Sequence, residues 1–76
     1  MGGKKVYRYP IIIERSKRNY SAFSPDLPGC VATGATIKET ISHMRSAIEF
    51  HVEGLKKEGT KILQPSTKVK YIEISI

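Results

Sequence analysis

The 76-residue sequence has no tryptophan, a single cysteine, and seven acidic residues against thirteen basic ones. The lone Cys30 cannot form a disulfide within the chain, and no second cysteine exists to build a thiolate zinc site. The longest apolar run, Ile11–Ile13, is far too short to cross a bilayer, and the N-terminal segment lacks the longer apolar core of a signal peptide. We therefore expect a cytoplasmic protein with no membrane-spanning segment.

Length and charge limit the organisation of the chain. A chain this short forms one domain with one small core, so we expect a single domain over residues 1–76, with residues 1–5 disordered. The formal net charge of +6 favours anionic partners through long-range attraction, but charge alone does not define a function. Almost half of the basic residues lie in the first quarter of the chain: Lys4, Lys5, Arg8, Arg15, Lys17 and Arg18.

The first half of the chain has the pattern of three strands. Val6–Glu14 is rich in β-branched and aromatic residues, and Pro10 places it at or near a sheet edge. Residues 20–24 alternate in polarity and are expected to form a hairpin with that strand. Leu27–Cys30, which reads Leu-Pro-Gly-Cys, matches a type II turn with its glycine at positive φ. A third strand should follow, with Cys30 as a small buried apolar residue.

The second half predicts a helix and a last strand. Thr36 and Glu39 form a capping-box pattern, so a helix should begin at Ile37. Apolar residues then recur at three- and four-residue steps and predict a face that covers the sheet: Ile37, Ile41, Met44, Ile48, Val52 and Leu55. Lys68–Ile76 alternates isoleucine with polar residues, which predicts a fourth strand half-buried under the helix. The predicted fold class is α+β, of β-β-β-α-β order, with a small antiparallel-rich sheet covered on one face by one helix.

No combination of residues in the sequence indicates catalysis. His43 and His51 are eight residues apart, not at the i, i+4 spacing that lets two imidazoles share a zinc ion. The acidic residues are scattered, and no glycine-rich phosphate-binding loop follows a strand. We predict that the protein is not an enzyme and has no cofactor or metal site.

Phe50 lies roughly 140° from the centre of the predicted apolar face. We interpret this position either as a contact site or as a partly covered position beside the core. One helix covers only one face of a small sheet, so we also expect self-association, as a dimer or a higher even-numbered assembly such as a tetramer.

The stretch "YPIIIERSKRNYSAFSPDLPGCVATGATIKETISHMRSAIEFHVEGL", Tyr9–Leu55, resembles the HicB antitoxin family. The shared features are an aliphatic strand after Tyr-Pro, a Y-x-A-x-x-P-D-L-P-G-C strand and corner, a T-G-x-T helix start and an H-x-E-G-L helix end. The resemblance implies a partial RNase H-like domain of β-β-β-α-β order. It also implies an antitoxin that binds HicA, a small mRNA interferase with a double-stranded-RNA-binding-like fold, and covers its catalytic histidine and RNA surface. Such neutralisation needs surface complementarity and no chemistry.

This resemblance and the charge pattern leave three hypotheses open. For an antitoxin module, the residues that we predict to contact the toxin are Asp26, Leu27, Glu39, Glu49 and Phe50. A stand-alone RNA-binding module would instead use the basic first hairpin, with tyrosines as stacking groups. Its residues would be Arg15, Lys17 and Arg18, with Tyr7, Tyr9 and Tyr20.

The third hypothesis, a residual RNase H-like nuclease, would require Asp26, which we interpret as a turn residue. We expect no sequence-specific DNA binding, because no recognition helix follows the last predicted strand.

Overall fold

A computed structural model describes residues 6–76, and this part of the chain contains three antiparallel strands followed by one helix. The elements are β1 (Ile12–Arg15), β2 (Tyr20–Phe23), β3 (Val31–Gly34) and α1 (Ile37–Lys57). The strands are ordered β1-β2-β3 in one sheet, so β2 is central and the other two are edges. The predicted α+β class is confirmed. The expectation that residues 1–5 are disordered lies outside the described residues.

The corner between β2 and β3 is a type II turn, as predicted. The Cys30 amide donates to the carbonyl oxygen of Leu27 at 3.1 Å, and Gly29 has a φ of 81°. A side chain is rarely compatible with that φ, which is why glycine occupies the position. The Ser24 amide also donates to the Cys30 carbonyl at 3.2 Å, so the whole corner is closed by backbone bonds.

Both ends of α1 are capped by residues that the sequence predicts. The Glu39 amide donates to the Thr36 hydroxyl at 3.0 Å, and the Glu39 carboxylate accepts from the Ala35 amide at 3.2 Å. At the other end Gly59 has a φ of 71°, and the Thr60 amide donates to the Leu55 carbonyl at 2.9 Å in a Schellman-type arrangement. The predicted helix bounds are therefore confirmed.

A small core lies between α1 and the sheet. Its buried members are Ala22, Leu27, Cys30 and Met44, so the prediction that Cys30 is a buried apolar residue is confirmed. Burial raises the pKa of the Cys30 thiol. Helix α1 packs mainly on β3 and, to a smaller extent, on β2.

The helix approaches most closely at the end of β3. Gly34 faces Thr40, whose fully buried hydroxyl donates to the Thr36 carbonyl at 2.7 Å. The His43 ring also joins the two elements, with its Nδ1 2.7 Å from the Thr33 carbonyl oxygen. The T-G-x-T sequence at the helix start thus serves close packing of helix on strand.

Two predicted elements differ from the structure. The first strand begins at Ile12, not at Val6, which is consistent with the missing amide donor of Pro10. The predicted fourth strand is not formed: residues 68–76 contain no strand and all of them are exposed. A strand is stable only when it pairs with another strand, and here the alternating segment leaves the body of the chain without pairing.

Candidate protein-binding site

Two apolar grooves flank α1, one on each side. The β1-side groove lies between the helix and the segment that precedes β1. Its lining is mostly apolar, with Arg8, Arg45 and Glu49 beside Tyr7, Tyr9, Ile11, Ile41, Met44 and Ile48. The β3-side groove lies over the outer edge of the sheet, and its lining includes Val31, Ala47, Phe50, Gly54, Leu55 and Glu58. Such paired grooves give the helix two surfaces on which another chain can bind.

Phe50 is the most prominent apolar side chain on the helix surface. It is 82% exposed, in agreement with its predicted position off the buried face. Glu49 and Glu53 are also exposed on the same half of the helix. An exposed aromatic ring flanked by acidic residues is typical of a protein contact and offers no chemistry.

Asp26 has an internal role that sequence reasoning did not predict. Its carboxylate accepts hydrogen bonds from the Ser66 hydroxyl at 3.0 Å, the Ser66 amide at 3.2 Å, the Thr67 hydroxyl at 3.0 Å and the Thr67 amide at 3.2 Å. We call these three residues the C-terminal anchor. Burial acts to raise the pKa of Asp26, but the hydrogen bonds from the anchor lower it overall.

The same region is reinforced by two tyrosines. The Tyr9 hydroxyl donates to the Leu63 carbonyl at 2.6 Å, and its ring lies 6.1 Å from that of Tyr7. Burial raises the pKa of Tyr9, with smaller contributions from Tyr7 and Asp26. Together these contacts hold the segment after the helix against the corner and the start of β1.

Replacing Asp26 with alanine should release the C-terminal anchor. The oxygens of the Asp26 carboxylate are charged, so the hydrogen bonds that they accept are strong ones. Because the variant loses these bonds, we expect hydrogen exchange at the Ser66 and Thr67 amides to become roughly tenfold faster. Glu53→Ala removes an exposed acid outside the anchor and should leave both amides unchanged. Hydrogen exchange followed by NMR measures both variants, and equal protection of the two amides in Asp26→Ala and the native chain would contradict the role of this carboxylate.

The anchor should also depend on pH in a defined direction. The pKa of Asp26 in the folded protein is lowered from its ordinary value of 3.8, so the stabilisation is fully present above that value. It is lost as the pH falls through the lowered pKa. Protection factors for the two amides, measured from neutral pH downward, should therefore stay constant until the pH drops below about 4.

The structure separates the predicted contact residues. Leu27 is 0% exposed and belongs to the core, so its side chain presents no surface to a partner in the single chain. The Glu39 carboxylate caps the helix, and that of Asp26 holds the anchor. Glu49 and Phe50 remain exposed and lie next to each other. The capping-box pattern identifies Glu39 as already engaged, whereas no local pattern indicates that Asp26 pairs with Ser66 and Thr67.

The structure does not bring all of the predicted RNA-binding residues together. Arg15, Lys17 and Arg18 are exposed at the tip of the β1–β2 hairpin, where the Arg15 guanidinium lies 6.0 Å from the centre of the Tyr20 ring. Tyr7 and Tyr9 precede β1 and so lie towards its other end. A strand residue advances about 3.3 Å, so these tyrosines are roughly 20 Å from the basic tip.

Two further observations on the described residues concern metal-ligand clusters and membrane-spanning helices. Among residues 6–76, no three His, Cys, Asp or Glu side chains gather where they could hold a metal ion. Over the same residues, α1 lacks the long apolar sequence that a membrane span requires.

Comparison with known proteins defines the family. A family model described as "HicB_like antitoxin of bacterial toxin-antitoxin system" matches residues 9–74. This chain belongs to the HicB-like antitoxin family. The match covers all three strands, the helix and most of residues 68–76. The features that carry the resemblance in the sequence are thus the features that build the fold of this HicB-like chain.

Solved structures agree with this assignment. The chain resembles the N-terminal domain of the Burkholderia pseudomallei antitoxin HicB, with a TM-score of 0.67, 35% identity, and coverage of 78% of this chain and 70% of that one. It also resembles a chain of the HicA3 and HicB3 toxin-antitoxin complex, with a TM-score of 0.67, 28% identity, and coverage of 79% and 70%. The similarity to these structures therefore extends over most of the chain and is not confined to the corner between β2 and β3.

A phage protein shows how much of a longer relative this HicB-like chain spans. A 14.9 kDa protein from the rep-hol intergenic region of Haemophilus phage HP1 is 34% identical over 64 residues. The alignment covers 84% of this chain but only 48% of the phage protein. The chain thus spans about half the length of that relative.

Proposed function

We propose that this HicB-like chain is an antitoxin module that binds a HicA-like toxin and neutralises it by covering its surface. The observation that carries the proposal is the similarity to a chain of the HicA3 and HicB3 toxin-antitoxin complex, at a TM-score of 0.67. Family membership favours a non-enzymatic role, and direct binding requires no catalytic step.

The toxin-contacting surface that we propose is the outer face of the second half of α1. Phe50 is its aromatic anchor, and Glu49 and Glu53 supply negative charge in a chain with a formal net charge of +6. A toxin that binds RNA presents positive charge, so these acids match it and the aromatic ring adds apolar burial. The surface belongs to one continuous helix that is capped at both ends.

Phe50→Ala should weaken the toxin complex about 30-fold, because a central aromatic anchor typically contributes about 2 kcal/mol to binding. Ile37→Ala is the matched control, since Ile37 is also an exposed apolar residue of α1 but lies at its other end, roughly 20 Å away. Isothermal titration calorimetry with a HicA-like toxin measures both variants. Equal affinities of the two variants would place the toxin elsewhere.

The dependence on salt separates toxin binding from RNA binding. A complex held by apolar burial changes little with salt, whereas contacts with phosphate weaken steeply because counterions are released. Titrations with the toxin and with RNA, at low and high salt, should show a tight and weakly salt-dependent toxin complex. Recovery of no protein partner, together with salt-sensitive RNA binding lost on neutralising Arg15, Lys17 and Arg18, would defeat the antitoxin proposal.

A further inference from the structure

Residues 68–76 form an extended arm that projects from the body of the protein. Tyr71 is 92% exposed, Ile72 is 83% exposed and Ile74 is 75% exposed. None of the backbone hydrogen bonds found among residues 6–76 connects the arm to the sheet. Several large apolar side chains on one short segment are costly to leave in water. The arm therefore has the properties of a segment that another chain covers in an assembly.

The arm leaves the body at a fixed point. The C-terminal anchor holds Ser66 and Thr67 on Asp26, and residues 67–70 then lie beside Arg8, Tyr9 and Pro10, in the segment that precedes β1. The arm therefore has a held base next to the segment that precedes β1. This geometry sets the direction of the arm and limits which surfaces it can reach.

The two sides of the arm differ in character. In an extended chain alternate residues face opposite sides, so Ile72, Ile74 and Ile76 share one side, while Tyr71 and Glu73 point to the other. The side that carries the three isoleucines is therefore aliphatic from residue 72 to the end of the arm. That alternation is typical of a strand with one face buried beneath a helix.

The body of the protein has a vacant place for such a strand. β1 is an edge of the sheet, and the β1-side groove beside it is lined by Ile11, Ile41 and Ile48. The arm spans about 30 Å when extended, whereas the four residues of β1 span about 13 Å and the groove follows residues 41–49 of α1 over about 12 Å, so only part of the arm can pair there. The outer half of the arm is thus long enough to pair with all of β1, and its isoleucines match the apolar part of the groove.

We propose that residues 68–76 of one copy of this chain pair with β1 of a second copy as its fourth strand, with the isoleucines filling the second copy's β1-side groove. The exchange is reciprocal, so two arms and two grooves are covered in one dimer with two-fold symmetry. In the single chain, the arm does not fill the β1-side groove of its own copy. The β1-side groove borders the surface around Phe50 at Glu49, but the pairing of two copies does not require a toxin and is measured without one.

The test compares substitutions on the two sides of the arm in the full chain. Ile72 and Ile74 are exposed, so the double variant Ile72→Lys, Ile74→Lys should fold as the native chain does. We expect its dimer dissociation constant to rise at least 100-fold, because two lysines cannot be buried in the apolar groove. Tyr71→Lys alters the opposite side of the arm and should retain the dimer. Analytical ultracentrifugation measures all three proteins, and circular dichroism checks their folding.

Each result decides the proposal. A native chain that stays monomeric at about 100 micromolar, or a dimer that survives in the double variant, would overturn it. Isotope-filtered NMR on a mixture of labelled and unlabelled native chains then identifies the surface that receives the arm. Contacts between the Ile74 methyls of one copy and the Ile41 or Ile48 methyls of the other support the proposal, whereas contacts only between the two arms refute it.

Discussion

Leu27→Ala should lower the free energy of unfolding by about 2–5 kcal/mol, because a fully buried leucine is replaced by a cavity. Leu27 is 0% exposed and packs with Met44 and Cys30, which make up much of a very small core. A domain of this size has little stability in reserve, so the variant should be largely unfolded at 37 °C. Thermal unfolding monitored by circular dichroism measures the effect.

Leu63→Ala is the matched control for this experiment. It removes the same atoms from a side chain that is 49% exposed, and the hydrogen bond from Tyr9 to the Leu63 backbone oxygen is kept. We expect a loss of less than about 1 kcal/mol. Similar losses in the two variants would mean that Leu27 does not hold the core together, and that its place in the corner sequence has another cause.

Gly34→Ala should cost up to about 3 kcal/mol, because the helix would be pushed from the strand. A methyl group at this position would lie 2.6 Å from the Thr40 hydroxyl oxygen, 2.7 Å from its amide nitrogen and 2.9 Å from its Cα. The last two atoms belong to the helix backbone and cannot turn aside. The same shift should weaken the contact between His43 and Thr33, which NMR of the imidazole ring can follow.

A second glycine of the chain separates steric clash from backbone effects. Gly54 is inside α1, and a methyl group there would meet no atom within 4 Å. Gly54→Ala should therefore be neutral or raise the free energy of unfolding by about 0.5–1 kcal/mol, since alanine favours the helix. Destabilisation of both variants by the same amount in urea denaturation would refute the argument from close packing.

The features that could be predicted from the sequence are those set by a few neighbouring residues. The type II turn at Leu27–Cys30 depends on the order Pro-Gly, and the helix start depends on Thr36 and Glu39, three residues apart. The exposure of Phe50 follows from its angle around the helix. These patterns need no knowledge of distant contacts, which explains why the structure agrees with them.

The features that were not predicted depend on residues far apart in the sequence. The carboxylate of Asp26 accepts hydrogen bonds from Ser66 and Thr67, which lie 40 and 41 residues later in the chain. No pattern in the sequence around Asp26 or around Ser66 indicates this pairing. The burial of Leu27 follows from how the helix lies over the corner. The alternation in residues 68–76 predicted a fourth strand that the structure does not form, because a pattern cannot specify whether a partner strand lies within reach.

The position of β3 has a consequence for how the protein behaves when it is produced alone. β3 is an outer strand, and Val31 on it is 64% exposed beside Phe50. An unpaired strand edge with apolar side chains invites aggregation, and the four-residue length of β3 restricts how far such pairing extends. Overproduction without a bound partner should therefore lead to concentration-dependent precipitation, and a lysine in place of Val31 should keep the protein in solution.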